Sequence, residues 1–120
     1  MRRLIFLLSL LGVLFVMTLG RAETIWTAYN QERVTVAATS IGLTASTIEP
    51  SGAIPARQVV VTIETAQVRC LWDGTAPTST TGHVFDPTDT ILVEGLPNIK
   101  NLRCIRTGAT SGVLQVTFMR

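Results

Sequence analysis

The chain of 120 residues carries 10 Lys/Arg and 8 Asp/Glu, has a formal net charge of +2, and is 47% hydrophobic. This length allows one domain of ordinary size, and the composition is too apolar and too weakly charged for a disordered tail. The two cysteines and one histidine also fall short of the roughly four ligands that a Cys/His zinc site needs.

Residues 1–22 have the three-part layout of a secretory signal peptide. Two arginines open it, an apolar run from Leu4 to Leu19 follows, and small residues at positions 20 and 22 precede Glu23. The run is shorter than the roughly 20 residues that span a bilayer, so we predict cleavage and export to the periplasm or extracellular space. The alternative is a retained helical leader that anchors the protein in the inner membrane, the leader then being its membrane contact.

The positive charge belongs to this leader. Removing residues 1–22 also removes three arginines, which leaves 98 residues with seven Lys/Arg, eight Asp/Glu and a net charge of −1. Apart from Lys100, Arg103 and Arg106 the remaining cations are scattered, whereas nucleic-acid binding needs a clustered positive face. We therefore expect no nucleic-acid partner.

The rest of the sequence is rich in Thr, Val and Ile and predicts short β-strands divided by turns. In chain order the predicted strands are 24–29, 33–38, 57–64, 67–72, 83–85, 90–93, 101–106 and 113–118, with 41–48 ambiguous. Such a series predicts an all-β fold, an antiparallel β-sandwich of the jelly-roll type. We assign residues 23–32 to an N-terminal arm and 33–120 to the sandwich domain.

Turn signals separate these strands. Asp73-Gly74 is a tight-turn signal followed by a polar loop, and residues 107–112 around Gly108 form another turn. Residues 49–52 and 95–98 are also predicted as turns. Asp73, Gly74 and Gly108 are therefore the predicted structural turn residues.

Cys70 and Cys104 lie in two segments, 68–71 and 102–105, that match position by position. Strand alternation places both thiols on inward faces, so both are predicted to be buried. In an oxidising compartment such a pair forms one disulfide, and the matching segments would then be neighbouring strands. The alternative is two reduced core cysteines; a redox role is disfavoured because there is no C-x-x-C and the surroundings are apolar.

The sequence shows no catalytic set. His83 lies three residues before Asp86, but no G-x-S-x-G nucleophile motif accompanies it, so we interpret it as a loop residue. Asp73, Asp86, Asp89 and Glu94 could offer oxygen ligands to calcium, yet no D-x-[DN]-x-[DN]-G loop is present. We therefore predict no enzymatic activity, no cofactor and no metal site.

A few aromatic residues are candidates for contact with a partner. Trp26 and Tyr29 fall in the predicted arm, where they could be exposed and pack against a neighbouring subunit. Trp72 alternates with core positions, so we assign it to the core and not to a sugar-stacking surface. The predicted interaction residues are Trp26, Tyr29 and His83.

Three segments carry a resemblance to a known group. They are residues 59–72 (VVVTIETAQVRCLW), 73–85 (DGTAPTSTTGHVF) and 102–118 (LRCIRTGATSGVLQVTF). Together they resemble small proteins encoded among the structural genes of tailed phages and prophages, over about residues 33–120. The most specific part is the combination of DGTAPT at 73–78 with IRTGAT at 105–110.

The resemblance implies a β-sandwich with a virion-associated, non-enzymatic role, such as head decoration or a tail or fibre accessory, whose partners are other protein subunits. It supplies no catalytic residues. The leader and the Cys70/Cys104 pair depart from the pattern of the group, and both suit an exported protein. The alternative function is an exported periplasmic or extracellular binding module for a glycan or an envelope partner, using loop residues 73–82 and 86–98.

Overall fold

The structure of the protein is a computed structural model, and it describes residues 24–120. Its elements in chain order are β1 (Ala28–Val36), β2 (Ile41–Gly42), α1 (Ala45–Ile48), β3 (Gln58–Glu64), β4 (Val68–Leu71), β5 (His83–Phe85), β6 (Thr90–Glu94), α2 (Leu96–Asn101), β7 (Arg103–Arg106) and β8 (Gly112–Met119). The predicted leader, residues 1–22, lies outside the described residues.

The strands form two antiparallel sheets. The long sheet has the order β1-β8-β3-β6, and the short sheet has the order β2-β7-β4-β5. Each strand of the first half of the chain pairs with one of the second half: β1 with β8, β2 with β7, β3 with β6, and β4 with β5. The first half of the chain therefore runs antiparallel to the second half. Successive strand pairs lie alternately in the long sheet and in the short sheet. The predicted antiparallel all-β sandwich is confirmed.

The core lies between the two sheets and is filled by alternate residues of each strand. In β3 the side chains of Val59, Val61 and Ile63 are buried, and in β4 those of Val68 and Cys70 are buried. Strand geometry sends neighbouring side chains to opposite faces, so each strand contributes one apolar row to the core. The alternation that predicted these strands is the cause of their burial.

The N-terminal strand is longer than the sequence suggests. β1 is one strand where we predicted two segments, and residues 28–32 of the predicted arm 23–32 belong to the sheet. Gln31 lies opposite Thr117 and Glu32 opposite Val116, so backbone pairing with β8 extends the strand through a polar stretch. Strand formation there depends on the partner strand and not on an apolar pattern.

Two further segments differ from their predicted form. The predicted turn 95–98 opens α2, which has Pro97 in its first turn, where the missing N–H costs nothing. Burial of Ile99 against the core holds this short helix, and the predicted strand 101–106 consequently begins only at Arg103. The ambiguous segment 41–48 divides into β2 and α1.

Candidate functional site

Cys70 and Cys104 form a disulfide, as predicted. They lie directly opposite each other on β4 and β7 with Cα atoms 4.1 Å apart, close to the spacing of a non-hydrogen-bonded antiparallel pair. Both side chains are fully buried, and the two matching segments are neighbouring strands. The bond indicates an oxidising, non-cytoplasmic compartment. Within residues 24–120, no helix is both long and apolar enough to cross a membrane.

Residues 72–82, the clamped loop, connect β4 to β5 and lie over the outer face of the short sheet. Arg69 points to this face because its neighbours in β4 point inward. Its guanidinium donates from Nε to the carbonyl of Ser79 (3.0 Å) and from Nη1 to the carbonyl of Gly82 (2.9 Å). Pro77, within the loop, is buried. A Cβ on Gly82, whose φ is +126°, would come within 3.3 Å of Arg69 and Pro77, so glycine suits this close approach.

Short local hydrogen bonds order the loop itself. Thr78 and Thr81 exchange two backbone N–H···O bonds of 3.0 and 3.3 Å, and the Thr78 hydroxyl also accepts from the N–H of Thr81 (2.9 Å). Asp73 Oδ1 accepts from the N–H of Thr75 (2.9 Å), and this bond lowers the pKa of the Asp73 carboxyl. Gly74 follows with a φ of +93°, a conformation that glycine adopts without strain.

A surface cleft of about 440 Å³ opens beside the clamped loop. It is lined by Ala38, Pro77, Thr78, Ser79, Ile105, Arg106, Thr107 and Gly108. The cleft therefore draws on both segments that carry the most specific resemblance, 73–78 and 105–110. Its lining combines an apolar wall, several hydroxyl groups and an arginine, which can hydrogen-bond a hydroxylated or anionic ligand. The predicted turn residue Gly108 has open space around it and no left-handed φ.

Trp72 and His83 form a stacked pair at the edge of the short sheet. Their ring centroids are 5.3 Å apart, with an interplanar angle of 27°. Trp72 is half-buried against the core, as its strand position suggests, while His83 is exposed on β5 opposite Cys70. One face of the Trp72 ring is thereby covered by the imidazole of His83.

The two N-terminal aromatic residues lie elsewhere, on the long sheet. Tyr29 donates its hydroxyl to the carbonyl of Thr47 (2.7 Å), its ring lies 4.4 Å from the Arg120 guanidinium, and burial raises its pKa. Both its polar and its aromatic groups are therefore used within the chain. Trp26 is half-buried just before β1. The structure brings His83 together with Trp72 and not with Trp26 or Tyr29.

The acidic residues weighed as calcium ligands accept hydrogen bonds from other groups of the chain. Asp89 Oδ2 accepts from the N–H of Asp86 (2.7 Å), and Asp86 Oδ1 accepts from Gln67 (2.7 Å). Glu94 Oε1 accepts from Gln58 Nε2 (2.7 Å). Among residues 24–120, no group of three or more His, Cys, Asp or Glu could hold a metal ion.

Sequence reasoning missed Arg69 and the exposed strand edge at β6. The signal for Arg69 was its position between the inward residues Val68 and Cys70, ahead of a long polar loop. Comparisons of the chain with protein-family models, with curated proteins and with solved structures found no match.

Proposed function

We propose that the protein is a non-enzymatic structural module of the phage or prophage type that works by packing against other protein subunits. The observation that carries this proposal is the strand pairing. Eight strands in two sheets, with the first half of the chain paired in reverse order with the second half, make a jelly roll. Viral capsid domains are among the proteins that use this architecture.

The surface properties of the domain suit repeated packing. Residues 24–120 hold seven Lys/Arg and seven Asp/Glu, so copies would not repel one another through net charge. Four exposed hydrophobic side chains lie on this surface besides Ile25: Ile41, Ile54, Val84 and Leu92. Weak contacts through such groups add up when many copies assemble, so no deep binding site is required.

The rigid construction of the short sheet also supports this role. A buried disulfide and an arginine that holds a loop both limit changes of shape on binding. Subunits with fixed surfaces lose less conformational entropy when they associate. We further propose that export with cleavage of the leader brings the chain to the compartment where its disulfide forms; the alternative locations are a virion and the inner membrane.

Assembly can be tested on the full chain expressed with its own leader in a host with an oxidising periplasm. The mass of the purified chain shows whether residues 1–22 are removed, and sedimentation over a range of concentrations reports association. We expect oligomers, or co-sedimentation with particles from induced prophages. A chain that stays monomeric at all concentrations and binds no particle contradicts the proposal.

The cleft supports a second candidate, an exported binding module for a glycan. Its hydroxyl groups and Arg106 could bond to sugar hydroxyls or a uronic acid carboxylate. Titration calorimetry with neutral and acidic oligosaccharides tests this, with Arg106→Ala as the variant and Arg103→Ala, outside the cleft lining, as its control. Binding that Arg106→Ala abolishes supports the glycan module; equal loss in both variants, or no binding, contradicts it.

A further inference from the structure

We propose that two copies of this chain join edge to edge through β6, antiparallel about a twofold axis at Leu92. The two long sheets would then become one continuous sheet. This inference rests on the proposed structural function, because it names the subunit contact which that function needs. Its basis is the direction of the free backbone groups of β6, the register they allow, and the charges at the competing edges.

The backbone of β6 has one occupied side and one free side. β6 ends the long sheet and pairs there with β3. The N–H of Gly95 donates to the carbonyl of Arg57 (2.9 Å), and the carbonyl of Asp89 accepts from the N–H of Ile63 (3.0 Å). Because alternate residues of an antiparallel strand direct their N–H and C=O to opposite sides, Thr90, Leu92 and Glu94 direct theirs to the free edge. One of these groups has a partner within the chain, since the Glu94 carbonyl accepts from Asn98 Nδ2 (2.9 Å).

A second β6 fits this edge in register. Pairing about Leu92 sets that residue opposite its own copy and sets Thr90 opposite Glu94, and each pair would exchange two N–H···O bonds. The Glu94 carbonyl would accept its inter-copy bond through its second lone pair, beside the bond from Asn98. The same register sets Ile91 opposite Val93. Both side chains are buried, at 6% and 3% exposure, so the apolar cores of the two copies would lie next to each other across the new strand pair. Leu92, which is 56% exposed, would gain an apolar contact with its copy.

The charges on β6 permit this pairing. Glu94 would face the uncharged Thr90 of the other copy, and its own carboxylate already accepts a hydrogen bond from Gln58 (2.7 Å). No like charges would be brought together. Burial of the Leu92 pair would therefore meet no electrostatic opposition within the strand.

The other three edges are less suitable for self-pairing. Pairing that uses the whole of β1 is centred on Glu32 and would place that carboxylate opposite its copy. The edge of β1 is also beside residues 44–48, since Glu32 accepts from the N–H of Thr44 (3.1 Å) and Tyr29 donates to Thr47 (2.7 Å). β2 has two residues and β5 has three, too few for a stable ladder.

Cysteine cross-linking in the full chain tests the register. Only a twofold axis at position 92 sets that residue opposite itself, so Leu92→Cys should give a disulfide-linked dimer on a non-reducing gel of periplasmic protein. Thr90→Cys and Glu94→Cys should each give little dimer alone and much more when co-expressed. Val84→Cys is the matched control, because Val84 is 42% exposed and lies on β5, an edge strand of the short sheet, opposite Arg69 and not opposite a native cysteine. The native cysteines are buried and bonded, so they do not compete.

A charge at the proposed axis provides a second readout. Leu92→Lys should weaken dimerisation by at least about tenfold in sedimentation, because it replaces an apolar pair by two like charges. At a concentration low enough for both proteins to be monomeric, its melting temperature should stay close to that of the wild type, since Leu92 is exposed in the single chain. If Leu92→Cys cross-links no better than Val84→Cys, the β6 contact is wrong. In that case, wild-type protein that still oligomerises supports the structural function through another surface. Wild-type protein that neither oligomerises nor binds a particle contradicts both the structural function and the β6 contact.

Discussion

The two sheets of the sandwich differ in length and in what stabilises them. Strands of the long sheet have nine, eight, seven and five residues, whereas those of the short sheet have two, four, four and three. Long strands supply continuous apolar rows to the core, while short strands cannot bury as much surface. The short sheet has instead a buried cross-strand disulfide and the two hydrogen bonds by which Arg69 holds the clamped loop. The comparison teaches that covalent and polar links can replace apolar burial on one side of a small sandwich.

The largest expected effect lies in the long sheet. Phe118 in β8 is fully buried, so Phe118→Ala should lower the free energy of unfolding by about 3–5 kcal/mol through lost burial and a cavity. Urea denaturation measures the loss. Leu92→Ala, on the exposed face of the same sheet, is the control and should cost far less. Equal losses in the two variants would show that the long sheet does not depend on its buried row.

The disulfide should come next. Cys70 and Cys104 are separated by 34 positions, and closing a loop of that size stabilises a domain by roughly 3–4 kcal/mol in the chain-entropy model. The double variant Cys70→Ala/Cys104→Ala should therefore melt well below the oxidised wild type in calorimetry. Wild-type protein under reducing conditions should match the variant. An unchanged melting temperature would mean that packing alone holds the short sheet.

Two glycines should differ in how well they tolerate a side chain: Gly74 in the clamped loop and Gly108 in the turn between β7 and β8. Gly74 has a φ of +93°, and a Cβ added there would lie 4.0 Å from its nearest neighbour, Asn101 Nδ2, so Gly74→Ala should cost about 1–2 kcal/mol from backbone strain alone. Gly108 lacks a left-handed φ and has open space, so Gly108→Ala should be neutral or slightly stabilising. Thermal unfolding of both variants decides the point, and the reverse ranking would show that the two turns were misassigned.

The smallest expected effect comes from weakening the two hydrogen bonds that Arg69 donates to the clamped loop. Arg69→Lys keeps the charge but loses the planar fork that reaches two carbonyl oxygens, and should cost about 1 kcal/mol. Hydrogen exchange and proteolysis should increase within residues 72–82 and not in the long sheet. Arg103→Lys, in the neighbouring strand, is the control. Unchanged exchange in the loop would show that Pro77 holds it without the arginine.

Parts of the fold with a local cause could be predicted from the sequence. The strand at β3 follows from the alternation of Val59, Val61 and Ile63, since a period of two exposes one face and buries the other. The disulfide followed from two matching segments whose cysteines both face inward. In each case the feature could be predicted from the residues next to it in the sequence.

The features that escaped prediction depend on partners far away in the chain. The polar first half of β1 is a strand because β8 pairs with it, and α2 exists because Ile99 is buried. The cleft joins residues 77–79 to 105–108, which meet because β4 and β7 are adjacent. Likewise, the position of Arg69 ahead of a polar loop indicates an outward side chain but does not show that it reaches carbonyls ten and thirteen positions away.

The central position of β8 has a consequence for biosynthesis. β8 is the last strand in the chain, yet it lies between β1 and β3 in the long sheet. Until residues 112–119 have been synthesised, β1 and β3 lack the strand that pairs with both of them. The long sheet therefore cannot be completed before β8 is present, because β8 is the strand that joins β1 to β3. Any chain that stops short of β8 leaves two strand edges unpaired, and such edges favour aggregation.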